Sequence, residues 1–200
     1  MVFVNLRDMN GLIKYLGYLI NLSPEANEHI LSISKQKKLK KGDVLINQGH
    51  KVDSIYFIED GCMRSFSRDE NGKEHTLCIG IKNSLISDFI TIHNNQLSGL
   101  TVECVKKAKI IQLNSADFYH ALERFPELDV AHRKLLELRV SSLEKRILGQ
   151  LMLPASVRYE KFLKHYSDIE SIVPNYCIAS FLGMTKESLS RIRMEKSKLI

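Results

Sequence analysis

Lys186, Glu187, Ser188, Ser190, Arg191 and Arg193 crowd charged and hydroxyl side chains into residues 186–193. Such a set can hydrogen-bond to base edges and phosphates. Arg191 can donate two bonds to one guanine, Glu187 can accept from the amino group of a cytosine, and Lys186 suits a phosphate.

That chemistry requires a helix that enters a major groove, and the residues just upstream are of the types that build one. Ala179 is small where a first helix must let a second cross it closely. Gly183 suits a left-handed turn, which costs a residue without Cβ nothing. Thr185 is a good N-cap, and Ile178, Leu182, Met184, Leu189 and Ile192 fall where two crossing helices share one small core. The segment therefore predicts a helix-turn-helix that meets double-stranded DNA through Thr185, Lys186, Glu187, Ser188, Ser190, Arg191 and Arg193. The bland alternative is an ordinary helix pair joined by a glycine turn. A small residue, a cap and a basic outer face in one register favour the DNA reader.

Charge is distributed to match. The net charge of +6 lies wholly in residues 131–200, with 13 Lys+Arg against 7 Asp+Glu, while residues 1–130 balance at 16 each. Only the C-terminal part is then expected to meet a polyanion. Residues 12–22 are apolar but short, broken by Lys14 and preceded by Arg7-Asp8, which reads as neither export signal nor membrane span. Cys62, Cys78, Cys104 and Cys177 are 16, 26 and 73 positions apart. These intervals suit neither zinc nor an iron–sulfur cluster, so free thiols in a cytoplasmic protein are expected, with no metal and no cofactor.

Upstream, Ser23-Pro24-Glu25 starts a helix whose apolar face continues through Ala26, Ile30 and Ile33. From about residue 37 to 113 the pattern changes to short β-prone runs at 44–46, 54–58, 62–67, 75–81, 100–105 and 109–113. Turn signals separate them: Lys41-Gly42-Asp43, Gln48-Gly49, Glu59-Asp60-Gly61 and residues 69–73 with Asn71-Gly72. A jelly roll is the natural closed form. Asn114 or Ser115 caps a short helix, and Pro126 opens a long one running to about residue 153. Along it Leu136, Val140, Leu143, Ile147 and Leu151 recur at steps of 4, 3, 4 and 4, an apolar stripe expected to seal a homodimer. Pro154-Ala155-Ser156 is the hinge, followed by a helix over 156–166 that packs Phe162 and Tyr159 inward. The fold class is α+β: an N-terminal jelly-roll β-roll with helices over 1–125, a dimerisation helix over 126–153, and a helix-turn-helix domain over 154–200.

β-roll, long helix and helix-turn-helix, in that order, resemble the Crp–Fnr family of bacterial transcription regulators over nearly the whole chain. Gly42, Gly49, Gly61 and Gly72 sit where that family's cyclic-nucleotide-binding-like roll places its turns. Tyr56-Phe57-Ile58 followed by Gly61 is a familiar piece of it, as are residues 69–74. Residues 185–191 resemble its recognition helix, with Glu187 and Arg191 as the paired base readers. The resemblance implies a regulator rather than an enzyme. Its implied partners are an inverted-repeat DNA operator, a second copy of the chain, RNA polymerase and a small-molecule effector in the roll.

Two departures qualify this. Cyclic-nucleotide binders hold the phosphate with a Gly-Glu-Leu turn and an Arg-Ser pair, and here those segments read Ser87-Asp88-Phe89 and Ser98-Gly99, without an arginine. A buried phosphate without a cation is costly. The effector pocket is expected at Ser87, Asp88, Phe89, Ser98, Gly99 and Thr101, near Ser141 and Ser142 of the long helix, with an occupant other than cyclic AMP. A roll kept only as a packing scaffold is the competing expectation. Lys106 and Lys107 read as solvated, and His75, His93 and His120 as turn or surface residues rather than haem ligands. In much of the family two short strands follow the recognition helix as a wing, whereas only about one helix length separates Thr185 from Ile200, implying a wingless head or a shortened chain. A ligand-binding adaptor and a metal-dependent small-molecule enzyme are the remaining alternatives; the enzyme would need clustered ligands, and His50 and His75 are isolated.

Overall fold

The short β-prone runs assemble into one six-stranded antiparallel sheet in the computed structural model, which describes residues 11–197. Residues 1–10, with Arg7 and Asp8, and residues 198–200 are the outer ends of the first and last expected segments and lie outside the described residues. Helices α1 (Gly11–Leu19) and α2 (Pro24–Ile33) come first, and Ser23 caps α2 by accepting from the Ala26 amide at 3.2 Å. The strands are β1 (Ser34–Leu39), β2 (Val44–Ile46), β3 (Ser54–Arg68), β4 (Glu74–Ile81), β5 (Ser84–Ile86) and β6 (Thr101–Asn114), with helix α3 (Phe89–Asn94) between the last two. Their order is β1-β6-β3-β4, with β2 also on β6 and β5 also on β3.

Three elements differ from the sequence expectation. Glu59-Asp60-Gly61 is not a turn between strands but a bulged stretch inside the continuous β3, where pairing with β6 shifts register at Ile58/Asp60 and Asp60/Cys62. Gly61 is required there. Its φ is +97°, and a Cβ would stand 2.4 Å from the Lys107 carbonyl oxygen. Likewise the two runs at 100–105 and 109–113 are one strand, β6, held straight by β3 along nearly its whole length. β1 carries Ser-Lys-Gln-Lys-Lys-Leu, too polar to announce itself. It exists because its backbone pairs with residues 108–113 of β6 while its charged side chains face water at the sheet edge.

Both faces of β3 are covered. Ile55 and Phe57 face a cluster with Ile13, Ile30, Phe118 and Leu128, in which the N-terminal helices meet α4 (Ser115–Arg124) and the start of α5 (Pro126–Met152). Tyr56, Ile58 and Met63 face the roll interior with Ile86, Val102 and Ile110. After α5 come α6 (Ala155–Tyr166), a 3-10 turn at 167–169, α7 (Asn175–Leu182) and α8 (Lys186–Ser197). They form a third core in which Tyr159, Phe162, Cys177, Ile178, Leu189 and Ile192 pack together and against Cys62, Ile79 and Val105 of the roll. The α6–α8 head is therefore seated on the sheet rather than tethered to it.

Candidate nucleic-acid interface and effector cleft

The α7–α8 unit is built from local sequence chemistry. Gly183 adopts φ +66° and ψ 43°, its amide returning to the Ala179 and Ser180 carbonyls, and the Met184 amide donates to Ala179 as well. Thr185 Oγ1 accepts from the Ser188 amide at 3.1 Å, capping α8. Ala179, Ile178, Leu182, Leu189 and Ile192 are all buried. Arg158 of α6 secures the turn from outside. It donates to the carbonyls of Leu182 at 2.9 Å, Gly183 at 3.1 Å and Leu153 at 2.6 Å, placing a cation where the dipoles of α5 and α7 end.

Lys186, Glu187, Ser190 and Arg191 are exposed on α8, and the side chains of Lys186, Ser190 and Arg191 make no hydrogen bond or ion pair among the described residues. Bonds from its own backbone N–H and from Thr185, with the charge of Lys186, hold the Glu187 carboxyl below its ordinary value. It is an anion available to an amino group. Ser188 is half-buried beside the cap.

Arg193 corrects the sequence reading. It was expected to point outward, but it is folded back into the head. Its guanidinium pairs with Glu170 at 3.0 Å, donates to the Tyr159 hydroxyl at 3.0 Å and bonds the side chain of Asn175. It lies nearly two turns on from Lys186 and on much the same side of α8, but Glu170, remote in sequence, captures it.

The expected effector residues are also rearranged. Ser87, Asp88, Ser98 and Thr101 are buried, but they satisfy one another or the backbone instead of lining a void. Asp88 caps α3 by accepting from the Thr91 amide at 3.2 Å and accepts from Ser98 Oγ at 2.9 Å, while Ser87 Oγ donates to the Ser54 carbonyl at 2.8 Å. Among the described residues no cation stands here for a phosphate, and the carboxylate present is already in use. Gly99 likewise does not line the large cavity described next, whereas Phe89, Ser84, Ser141 and Ser142 do.

That cavity, about 1070 Å³, lies beside α5 between β4, β5 and the head. Arg139 and Arg146 project into it from α5, each over a phenyl ring: Arg139 4.9 Å from the centre of Phe89, and Arg146 4.7 Å from that of Phe181. On α5 itself only Leu128 and Ala131 are fully buried. Leu136, Val140, Ile147 and Leu151 are exposed and Leu143 is half-buried, so the stripe is left largely uncovered among the described residues.

Sequence reasoning passed over the joint between roll and head. Arg64 of β3 is 2% exposed and is held by Glu74 and Glu103, both at 2.6 Å, while also donating to Cys177 Sγ of α7 at 3.1 Å. Phe66 and Tyr176 stack on it. Ser180 of α7 accepts from the Thr76 amide at 2.8 Å, a second tie to β4. Burial pushes the Cys62 thiol up to about 12 and the Cys104 thiol to about 11, so these unpaired cysteines stay protonated. Among the described residues no helix is long and apolar enough to cross a membrane.

Roll, long helix and helix-turn-helix define a class of protein: a ligand-type roll coupled to a DNA head. Residues 36–125 match the cyclic nucleotide-binding domain family. The transcriptional activator protein Anr of Pseudomonas protegens is 25% identical, covering 84% of this chain and 73% of its own. The regulatory protein HlyX of Actinobacillus pleuropneumoniae is 22% identical, with 84% and 75% covered. FixK2 from Bradyrhizobium japonicum has the same fold, with a TM-score of 0.72 at 13% identity over 84% of this chain and 86% of that one. Over most of its length the chain is thus similar to bacterial transcription regulators that pair such a roll with a helix-turn-helix head.

Proposed function

We propose that the protein is a homodimer that binds an inverted-repeat operator, with one α8 in the major groove of each half-site. The observation that carries this reading is the exposed face of α8, where the side chains of Lys186, Ser190 and Arg191 make no hydrogen bond or ion pair among the described residues, beside the anionic Glu187. On this reading Arg191 and Glu187 read bases, Lys186 and Ser190 contact the backbone, and Thr185 and Ser188 set the pitch of the helix. The chain divides into a sensory roll (1–125), a dimerisation helix (126–153) and a DNA head (154–200), working in the cytoplasm, with RNA polymerase as a further partner and no catalytic role. Leu136, Val140, Leu143, Ile147 and Leu151 form the seam, because a continuous apolar stripe on a 27-residue helix is otherwise left in water. Any effector is one other than cyclic AMP, since among the described residues no cation stands at the cradle and its buried carboxylate, Asp88, would repel a phosphate.

Two recognition helices related by a two-fold axis select half-sites roughly 34 Å apart, about one DNA turn. The test is selection from random duplexes followed by sedimentation with the selected site. The wild type should enrich an inverted repeat and sediment as a dimer. A Leu143→Glu/Ile147→Glu variant should sediment as a monomer with sharply weaker binding. Enrichment of no symmetric sequence, or a variant that remains dimeric, would count against the operator or the seam respectively.

A further inference from the structure

Arg146 is a half-buried cation that nothing answers. Among the described residues it makes no hydrogen bond and no ion pair, and its one close companion is the ring of Phe181. Burial pulls its pKa below the ordinary arginine value, the neighbouring Cys78 and Tyr166 act against that, and the positive charge of Arg139 acts with it. Arg139, seven residues earlier, lies over Phe89 and reaches the Leu85 carbonyl at a long 3.4 Å. It too has no carboxylate partner among the described residues.

The helix announces this place. Along the side of α5 turned toward the roll, Leu128, Ala131 and Leu135 are apolar and packed. Arg139, Ser142 and Arg146 then take the same side as it crosses the cleft, before Leu153 resumes the apolar pattern. At 3.6 residues per turn this side lies roughly 90° round the helix from the centre of the seam stripe, whose Leu136 and Leu143 stand at the rim of the same cleft. The cleft is walled by the roll, α5 and the head together, Lys161 and Lys164 stand at it, and among the described residues no aspartate or glutamate lines it. A cation withdrawn from water without a counter-charge is destabilising, and a bidentate anion offsets that cost.

We propose that this cleft binds a small aromatic anion: a flat apolar body carrying one carboxylate, sulfonate or phosphate, which Arg139 and Arg146 clamp. Phe89 and Phe181 stack against one face of each guanidinium and leave its N–H groups for the acid, while Tyr166 and Leu85 flank the apolar body. Because the ligand would touch roll, long helix and head at once, it would bias the set of the head; that consequence rests on the DNA-binding reading, whereas the binding does not.

The probe is anilinonaphthalenesulfonate, compared with N-phenylnaphthylamine, the same rings without the sulfonate, on the full chain. The wild type should bind one sulfonate dye per chain and bind the uncharged amine about tenfold more weakly, as expected for one lost charge-assisted pair. Arg146→Leu should lose about tenfold in affinity for the sulfonate and keep its affinity for the amine. It should also melt no lower than wild type, since it removes an unanswered charge; Arg146→Gln repeats the dye measurement with a polar side chain. Equal binding of the two probes, or unchanged sulfonate binding by both variants, overturns the proposal. Dye binding by a protein that binds no duplex DNA overturns the functional reading alone.

Discussion

Arg64 and Arg146 both stand between the roll and the DNA head, and their surroundings are opposite. Arg64 sits in the sheet with two carboxylates, a thiol and two aromatic rings around it. Arg146 sits on the long helix with one phenyl ring and no counter-charge. A guanidinium neutralised within the chain acts as a joint, because breaking it strands buried charge on both sides. One left without a partner acts as a site, because something from outside can still lower its energy. The same contrast recurs within α8. Arg193 is tied to Glu170, Tyr159 and Asn175, while Arg191, two residues earlier, is bare.

The sharpest way to break this comparison is Arg64→Leu. It leaves half-buried Glu103 without its partner and Glu74 with Arg68 alone, and should cost about 3 kcal/mol of unfolding free energy, read from urea titration. A loss below about 1 kcal/mol would show that the joint is held by packing alone.

The two arginines of α8 give the next largest effects, and in different assays. Arg193→Ala should lower stability by about 1–2 kcal/mol through loss of its bonds to Glu170, Tyr159 and Asn175, although Tyr159 still donates to Glu170, with operator preference retained. Arg191→Ala should leave stability unchanged and lose about 1–3 kcal/mol of discrimination at one base pair. If the two results exchanged places, the assignment of joint and reader would be reversed.

The smallest effect is in acid. Burial raises the pKa of Glu74, but hydrogen bonds and charge from Arg64 and Arg68 outweigh it and leave the carboxyl below its ordinary 4.5. A carboxylate whose pKa is depressed on folding stabilises the protein above its unfolded value and loses that contribution as pH falls through the folded one. Thermal scans should therefore show this contribution intact above about pH 5 and declining below about 4.5, and the decline should be shallower in Arg64→Leu. An identical acid profile in the two proteins would remove Glu74 from the joint.

Much of the fold was legible because its signals are local. Ser23, Asn114 and Thr185 each cap a helix through an amide two or three residues on, and Gly183 and Gly72 supply positive φ within one turn. β1 was not legible, because its hydrogen bonds come from β6 and its side chains are those of a solvated loop. Glu59-Asp60-Gly61 carried turn chemistry yet lies within a strand, since a bulge and a turn ask the same residues for the same backbone freedom. The cradle at Ser87, Asp88 and Ser98 could be located but not described as closed, because closing it needs residues ten apart to meet.

The chain by itself determined that α2, α4, α5, α6 and the α7–α8 pair are helical, where α2, α4 and α8 are capped, that charge gathers toward the C-terminal end and that α5 carries an apolar stripe, since each depends on neighbours within a turn or two. Which arginines are spent and which are free was decided only by the tertiary structure. Arg64 meets Glu74, Glu103 and Cys177 across 10, 39 and 113 positions of sequence, and Arg146 meets none, because charges pair through the distances that folding creates and local sequence does not encode those distances.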